Sequence, residues 1–496
     1  MSEVPVRQAS PAPTLLTRAE RWSDRVNPIF LRELQQAFNG KAFLGVVFAS
    51  MAAIFLIGLM IALRSDRAFE NGRDVFIPIL MVLTPVMTMV LPMQAFNSMQ
   101  HELREGAVHQ LLMSELTPRR IVRGKLLAAA LLALVFMATF APLLAVTYLL
   151  RGIDVATIAT CLLFSFLFAV GAAAVGMAMG AVTMIKPLQH IARVGVPIGL
   201  AGLTITVMWN MWGIVRDVSR LGSLSDQRAL IATAVALALG IVLLNLIAGA
   251  VLTHPYENRS TPFRAYPFAV TAVAYGMAFW MSSTNDFAQF VFVWAVTCWI
   301  GALPFFIAAL TESRALSPRV RALVPKNRVL ALLSVPFLPG SDRGLLFVLV
   351  LGAVLFGAAF AVWRVTGATL FDRFVPLSFI VLSYVWIWMC VLRTLRGNAK
   401  GQKARVRAIA GAVVLFALTC AGPAVFDVAT RGHIESWTWM HVMNPFFTVG
   451  SYMVVQENPA IPTVLVVIAL GCGLLRLPGM WRGVKEVMEA SRARAG

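Results

Sequence analysis

The chain has 496 residues, 59% of them hydrophobic and only 13% charged, with a mean hydropathy of +0.78. Soluble domains average about 45–50% apolar and about 25% charged residues. Here the excess lies in long uncharged runs near the ~20 residues that a helix needs to cross a bilayer. A soluble enzyme, a disordered chain and a disulfide-stapled secreted protein are therefore excluded. The formal charge of +19 is read through the positive-inside rule, as Lys and Arg in cytoplasmic loops, rather than as a nucleic-acid surface. An all-α polytopic membrane protein is expected.

Residues 1–25 are polar and Pro-containing and are expected to form a disordered tail, without the layout of a signal peptide. Asn27-Pro28 then reads as a helix start, with Asn as N-cap and Pro in the first turn. Phe30, Leu34 and Phe38, with Leu31 and Ala37, recur at helical spacing, while Arg32, Glu33, Gln35, Gln36 and Asn39 take the other face. The pattern predicts an amphipathic helix lying along the membrane surface. By itself it suits a basic membrane anchor and a partner-binding helix equally.

Twelve crossings follow, at roughly 42–63, 75–97, 126–150, 155–185, 194–215, 229–252, 266–281, 287–310, 344–363, 374–392, 408–429 and 461–477. With the N-terminus inside, 32 of the 42 Lys and Arg fall on the cytoplasmic side and 10 outside. The asymmetry repeats at every turn of the chain. Residues 1–41, 98–125, 311–343 and 393–407 and the tail from Arg476 are accordingly expected in the cytoplasm. The stretch His441–Gln456 has no Asp, Glu, Lys or Arg. As a full crossing it would carry the tail cations Arg482, Lys485, Arg492 and Arg494 outside. It is expected to be interfacial or re-entrant, broken by Asn444-Pro445 and Gly450.

The segment between the second and third crossings is too polar to cross and too apolar for a floppy loop. Ser98–Ser114 is expected to form a helix presenting Leu103, Leu111 and Leu112, interrupted at Gly106. Thr117-Pro118 restarts a helix that carries Arg119, Arg120, Arg123 and Lys125 into the third crossing. A positive-inside anchor would account for the four cations but not for the Glu102…Gly106…Leu111-Leu112 element. An ordered helix-turn-helix at this place suits a surface that receives force from a partner.

Chemistry-bearing patterns are sparse. Cys161, Cys298, Cys390, Cys420 and Cys472 sit at scattered spacings in apolar segments and read as small buried side chains. Ion-coupled carriers usually place ionisable residues inside the membrane. The twelve crossings hold one acid, Asp427, near the outer end of its helix, where an interfacial role fits better than ion coupling. Gly124-Lys125 lacks the upstream glycine and the following hydroxyl residue of a phosphate-binding loop, and HExxH and GxSxG are absent. Gln94, Asn97, Asn210 and Asn245 are candidates for lining a path or for hydrogen bonds between helices.

Taken in order, Asn27-Pro28, Glu33-Leu34, Glu102, Glu105-Gly106, Leu111-Leu112, Leu116-Thr117-Pro118-Arg119, Ile121 and Gly124-Lys125 resemble ABC-2 type permeases, the membrane subunits of ATP-binding cassette exporters. In that family the N-terminal amphipathic helix and the first cytoplasmic loop bear on a separate ATPase subunit. The resemblance implies a coupling surface made of Asn27, Pro28, Phe30, Glu33, Leu34, Phe38, Glu102, Glu105, Gly106, Leu111, Leu112, Thr117, Pro118, Arg119, Gly124 and Lys125. Ala107 stands where the family usually has Thr. The likeness covers about residues 25–252, so 26–252 is read as a permease core of six crossings. Residues 253–496 form a second half of about six more, similar only in general character, although Ser317-Pro318-Arg319 echoes Thr117-Pro118-Arg119. The implied protein is a multi-pass transport subunit of the cytoplasmic (inner) membrane and not an enzyme. It holds no cofactor of its own, with ATP on the partner. It contacts lipid and an ABC-type ATPase but no nucleic acid, and serves as a complete conduit or as half of a homodimer. An ion-coupled secondary transporter of twelve helices is the main rival, followed by an enzyme acting on lipid-linked substrates and by a scaffold subunit.

Overall fold

The computed structural model describes residues 27–64, 72–104, 117–150, 153–182, 186–216, 224–253, 257–281, 291–310, 315–366, 374–397, 401–421 and 460–495, with positions 312, 423, 425, 442–445 and 448–449. Among the described residues every regular element is a helix, and eight helices are long and apolar enough to cross a membrane. The expected N-terminal tail, Asp427, and most of 426–459 lie outside the described residues. The chain divides into two compact units, Met1–Leu252 and Thr253–Gly496.

The first unit contains α1 (Pro28–Asn39), α2 (Lys41–Arg64), α3 (Gly72–Pro85), α4 (Leu91–Arg104), α5 (Pro118–Thr139), α6 (Ala141–Leu149), α7 (Val155–Val182), α8 (Lys186–Arg216) and α9 (Leu224–Leu252). A π-helical turn, Val86–Val90, joins α3 to α4, so that one span runs from Gly72 to Leu103. Pro85 and Pro92 flank this turn. Each lacks the N–H that a preceding carbonyl would accept from, and a local widening of the helix accommodates that loss. The expectation of a separate helix beginning at Ser98 is corrected here, because Ser98–Arg104 simply continues the second crossing. The expected third crossing is broken at Phe140, where Pro142 starts α6 in its first turn.

The core of this unit is built from Phe76, Ile79, Leu83, Met87, Leu132, Phe136, Phe140, Cys161 and Phe164. The α4 backbone approaches α7 closely over Gly176 and Gly180. A Cβ added at Gly176 would lie 2.5 Å from the Pro92 carbonyl oxygen, and one at Gly180 2.9 Å from Met99 Cβ. Small residues at four-residue spacing permit such contact between membrane helices. Thr88 in the π-turn bonds Thr204 of α8 at 2.8 Å. Asn210, a sequence candidate for such a contact, instead donates to the Thr206 carbonyl of its own helix.

The second unit contains α10 (Ser260–Met281), α11 (Val291–Leu310), the short α12 (Pro318–Arg321) and α13 (Arg328–Ser334), then α14 (Ser341–Thr366), α15 (Phe374–Arg396), α16 (Gly401–Phe416) and α17 (Ala460–Ala495). The 36 residues of α17 include Pro478 without a break in the helix. The tail expected beyond residue 477 is therefore the same helix as the last crossing. Its C-terminal part packs Val487 and Ala490 against Leu316, Val320, Val324, Ala331, Val335 and Leu338. Nearer the other end, Ile461 and Leu465 pack on Leu377, Ile380 and Tyr384 of α15.

Large apolar side chains point outward from many of these helices. On α2, Leu44, Phe48, Met51, Phe55 and Leu59 form one stripe, with Phe55 71% exposed. Exposed apolar area on this scale is untenable in water and ordinary against acyl chains. The protein is membrane-embedded and, among the described residues, all-helical.

Candidate functional site

One end of the first unit gathers most of the residues singled out by the sequence. Asn27 caps α1, its Oδ1 accepting from the Ile29 N–H at 3.1 Å, while its Nδ2 donates to the Arg120 carbonyl of α5 at 2.5 Å. Gly124 makes this approach feasible, since a Cβ there would lie 2.6 Å from Asn27 Nδ2 and 3.0 Å from Ile29 Cβ. Ile29 and Ala37 are buried, Leu34 packs on the core, and α1 turns into α2 through a bend of 56°. Phe38 stays exposed and meets Phe43 edge-on.

Beneath α1 lies a knot of four charges. Lys125 Nζ stands 2.6 Å from Glu33 Oε1 and 3.1 Å from Glu102 Oε2, and donates to Ser98 Oγ at 2.9 Å. Ser98 donates in turn to Glu33 Oε2 at 3.2 Å, and Arg32 pairs with both Glu102 and Glu33. The Lys125 side chain is only 3% exposed. A buried ammonium is tolerated when carboxylates surround it; here Glu33 and Ser98 accept its hydrogen bonds, and Glu102 Oε2 is held as an ion pair alone. Two acids and two bases thus fasten α1 to α4 and α5. Glu33, assigned by periodicity to the polar outer face, instead turns inward to Lys125.

One hollow adjoins the knot, and a second lies beside the first. The first, of about 130 Å³, is lined by Glu33, Gln36, Gln94, Ser98 and Lys125. A wider groove of about 450 Å³ runs alongside between Phe43, Val46, Met93 and Phe136, with Gln94 and Asn97 as its polar side chains. No known protein family, curated protein or solved structure matches this chain.

The other sequence candidates separate from this group. Thr117 precedes α5 in extended conformation with Pro118 in the first turn, but the Thr117 side chain makes no capping bond. Arg119 lies over Gly249 of α9. Phe30 is half-buried. Glu105, Gly106, Leu111 and Leu112 lie outside the described residues. Sequence reasoning missed Arg32 and Ser98. The available signal was the balance of two acids and two bases near the ends of three helices that must meet.

It also missed a larger network in the second unit, whose arginines had been counted only as loop charges. Arg264, fully buried, donates to the carbonyls of Pro336 at 2.9 Å, Leu338 at 2.8 Å and Gly340 at 3.1 Å, and pairs with Glu312 at 2.6 Å. Gly340 has φ +144°, a conformation that side-chain-bearing residues rarely adopt. Arg343 pairs with Glu486 at 2.8 Å and Arg393 with Asp342 at 2.7 Å. Ser491 and Arg494 of α17 donate to the carbonyls of Pro325 and Val324. These bonds hold residues 315–340 as a defined platform rather than a plain loop. Among the described residues no cluster of His, Cys, Asp and Glu is suited to a metal.

Proposed function

We propose that this chain is the membrane-spanning permease subunit of an ATP-driven exporter, coupled to a separate ATPase subunit. It crosses the inner membrane twelve times with both termini in the cytoplasm. The knot of Arg32, Glu33, Glu102 and Lys125 carries the reading. An element that receives force from a partner must pass it on rather than slide. Buried ion pairs resist sliding, because separating them leaves uncompensated charge in a poorly solvated place. A push on α1, or on the segment that joins α4 to α5, would therefore reach the second and third crossings together. A proton- or sodium-coupled carrier would more naturally hold such charges within the bundle, on the ion's route.

The test is purification of the tagged chain from its own membrane with associated proteins. A Walker-motif ATPase should accompany it, and the chain alone should hydrolyse no ATP. Truncating a central apolar anchor costs about 2 kcal/mol or more at an interface. Leu111→Ala with Leu112→Ala should therefore release that ATPase while the chain still inserts, and Glu105→Ala should weaken retention less. Recovery of an active chain without any such ATPase would overturn the reading.

A further inference from the structure

We propose that residues 318–337 form a seat for anionic phospholipid headgroups, with α13 lying in the leaflet interface at the end of α14 that begins at Ser341. The inference needs only that α14 crosses the bilayer and is independent of any coupling to an ATPase.

The sequence is suited to this. From Ala315 to Ser341 there is no acid, while Arg319, Arg321, Lys326 and Arg328 supply four cations. Ser317 caps α12 and Asn327 caps α13, so the backbone is defined. One side faces protein, since Val324, Ala331 and Val335 pack on Val487 and Ala490 of α17. The other side is open among the described residues. Leu323, Val329, Leu330, Leu332 and Leu333 are all more than half exposed. On a helix Val329 and Leu333 project opposite Ala331, with Leu330 and Leu332 flanking them.

Depth decides between lipid and water. Glu486 holds Arg321 at 3.0 Å and Arg343 at 2.8 Å. Arg343 lies in the first turn of α14, whose apolar span begins at Ser341. The start of the platform is thereby tied to the level at which α14 enters the membrane. At the other end Arg264 and Thr261 of α10 grip the carbonyls of Pro336, Phe337 and Leu338. A cationic, apolar-faced helix at that level matches the layered chemistry of an anionic leaflet, with side chains among the upper acyl carbons and cations at the phosphates. Arg319 and Arg321 already have carboxylate partners, Glu257 and Glu486. Lys326 and Arg328, both exposed, pair with no acid among the described residues and are the cations left for phosphate.

The test uses the full chain with its native cysteines replaced and a nitroxide placed at Val329→Cys or Leu333→Cys. The protein is reconstituted in vesicles of phosphatidylcholine alone or mixed with phosphatidylglycerol. In the mixed vesicles both nitroxides should be relaxed by oxygen and shielded from a water-soluble nickel chelate, and less so in phosphatidylcholine alone. Each cation near an anionic surface is worth about five-fold in binding. Lys326→Gln with Arg328→Gln should therefore remove the difference between the two lipids while leaving gel-filtration behaviour in detergent unchanged. Nitroxides open to nickel in both vesicles would overturn the proposal and leave another protein as occupant. Equal shielding in both would overturn the recognition of charge.

Discussion

Lys125 is the residue on which three helices of the first unit converge, and it is where a single change should show most. Removing one member of a buried ion pair costs about 3–5 kcal/mol, because the remaining charges stay desolvated. Lys125→Met leaves Glu33 and Glu102 with Arg32 alone, so the melting temperature in detergent should fall by several degrees. Adding Glu33→Gln should recover part of that loss. A double-mutant cycle on melting should give a coupling of about 1–3 kcal/mol between the two positions, and additive losses would mean that the pair does not form. At Gly124 a methyl group would collide with Asn27 and Ile29. Gly124→Ala should therefore loosen α1, measurable as faster proteolysis near Asn39 with the membrane helices intact. Asn27, Pro28, Glu102, Gly124 and Lys125 were legible as an ordered motif, but the partner of each was not. A helical wheel sorts residues against an assumed apolar floor. The floor under Glu33 carries the Lys125 ammonium, which no periodicity within residues 28–39 could reveal.

At the scale of elements, hydrophobic runs are read well because the bilayer demands them, and interruptions are read poorly because several solutions satisfy the same residues. Pro85 and Pro92 flank the π-turn Val86–Val90. Pro478, by contrast, leaves α17 unbroken. The contact of α4 with α7 was legible in principle as Gly176-x3-Gly180, a spacing the crossing count alone does not use. Gly176→Val should force α4 from α7 at a cost of about 1–3 kcal/mol of overpacking. Gly199→Val on α8, where a Cβ meets nothing within 4 Å, should be tolerated. Equal yield and thermal stability of the two variants would contradict the close approach.

Across the whole molecule, the bias of Lys and Arg predicts orientation because it sums many weak preferences. Cysteines placed at Ser317 and Lys403 in a cysteine-free chain should be labelled only from the cytoplasm, and labelling in intact cells would reverse the topology. That sum says nothing of pairing. Arg264, Arg343 and Arg393 entered it as loop charges, yet they are buried and neutralised by Glu312, Glu486 and Asp342. The acids that receive them lie 48 to 143 residues away, beyond any local pattern. The unbroken length of α17 bears on the host bilayer. Its 36 residues extend ~54 Å, against a hydrocarbon thickness of ~30 Å. Helices adapt to thinner or thicker bilayers by tilting, and Glu486, Ser491 and Arg494 bind the far end of this one to the platform. A tilt change of ~10° about the membrane midpoint would sweep that end through ~5 Å, close to one helical pitch. Acyl-chain length should thereby load the bonds that join α17 to a platform held also by α10 and α14.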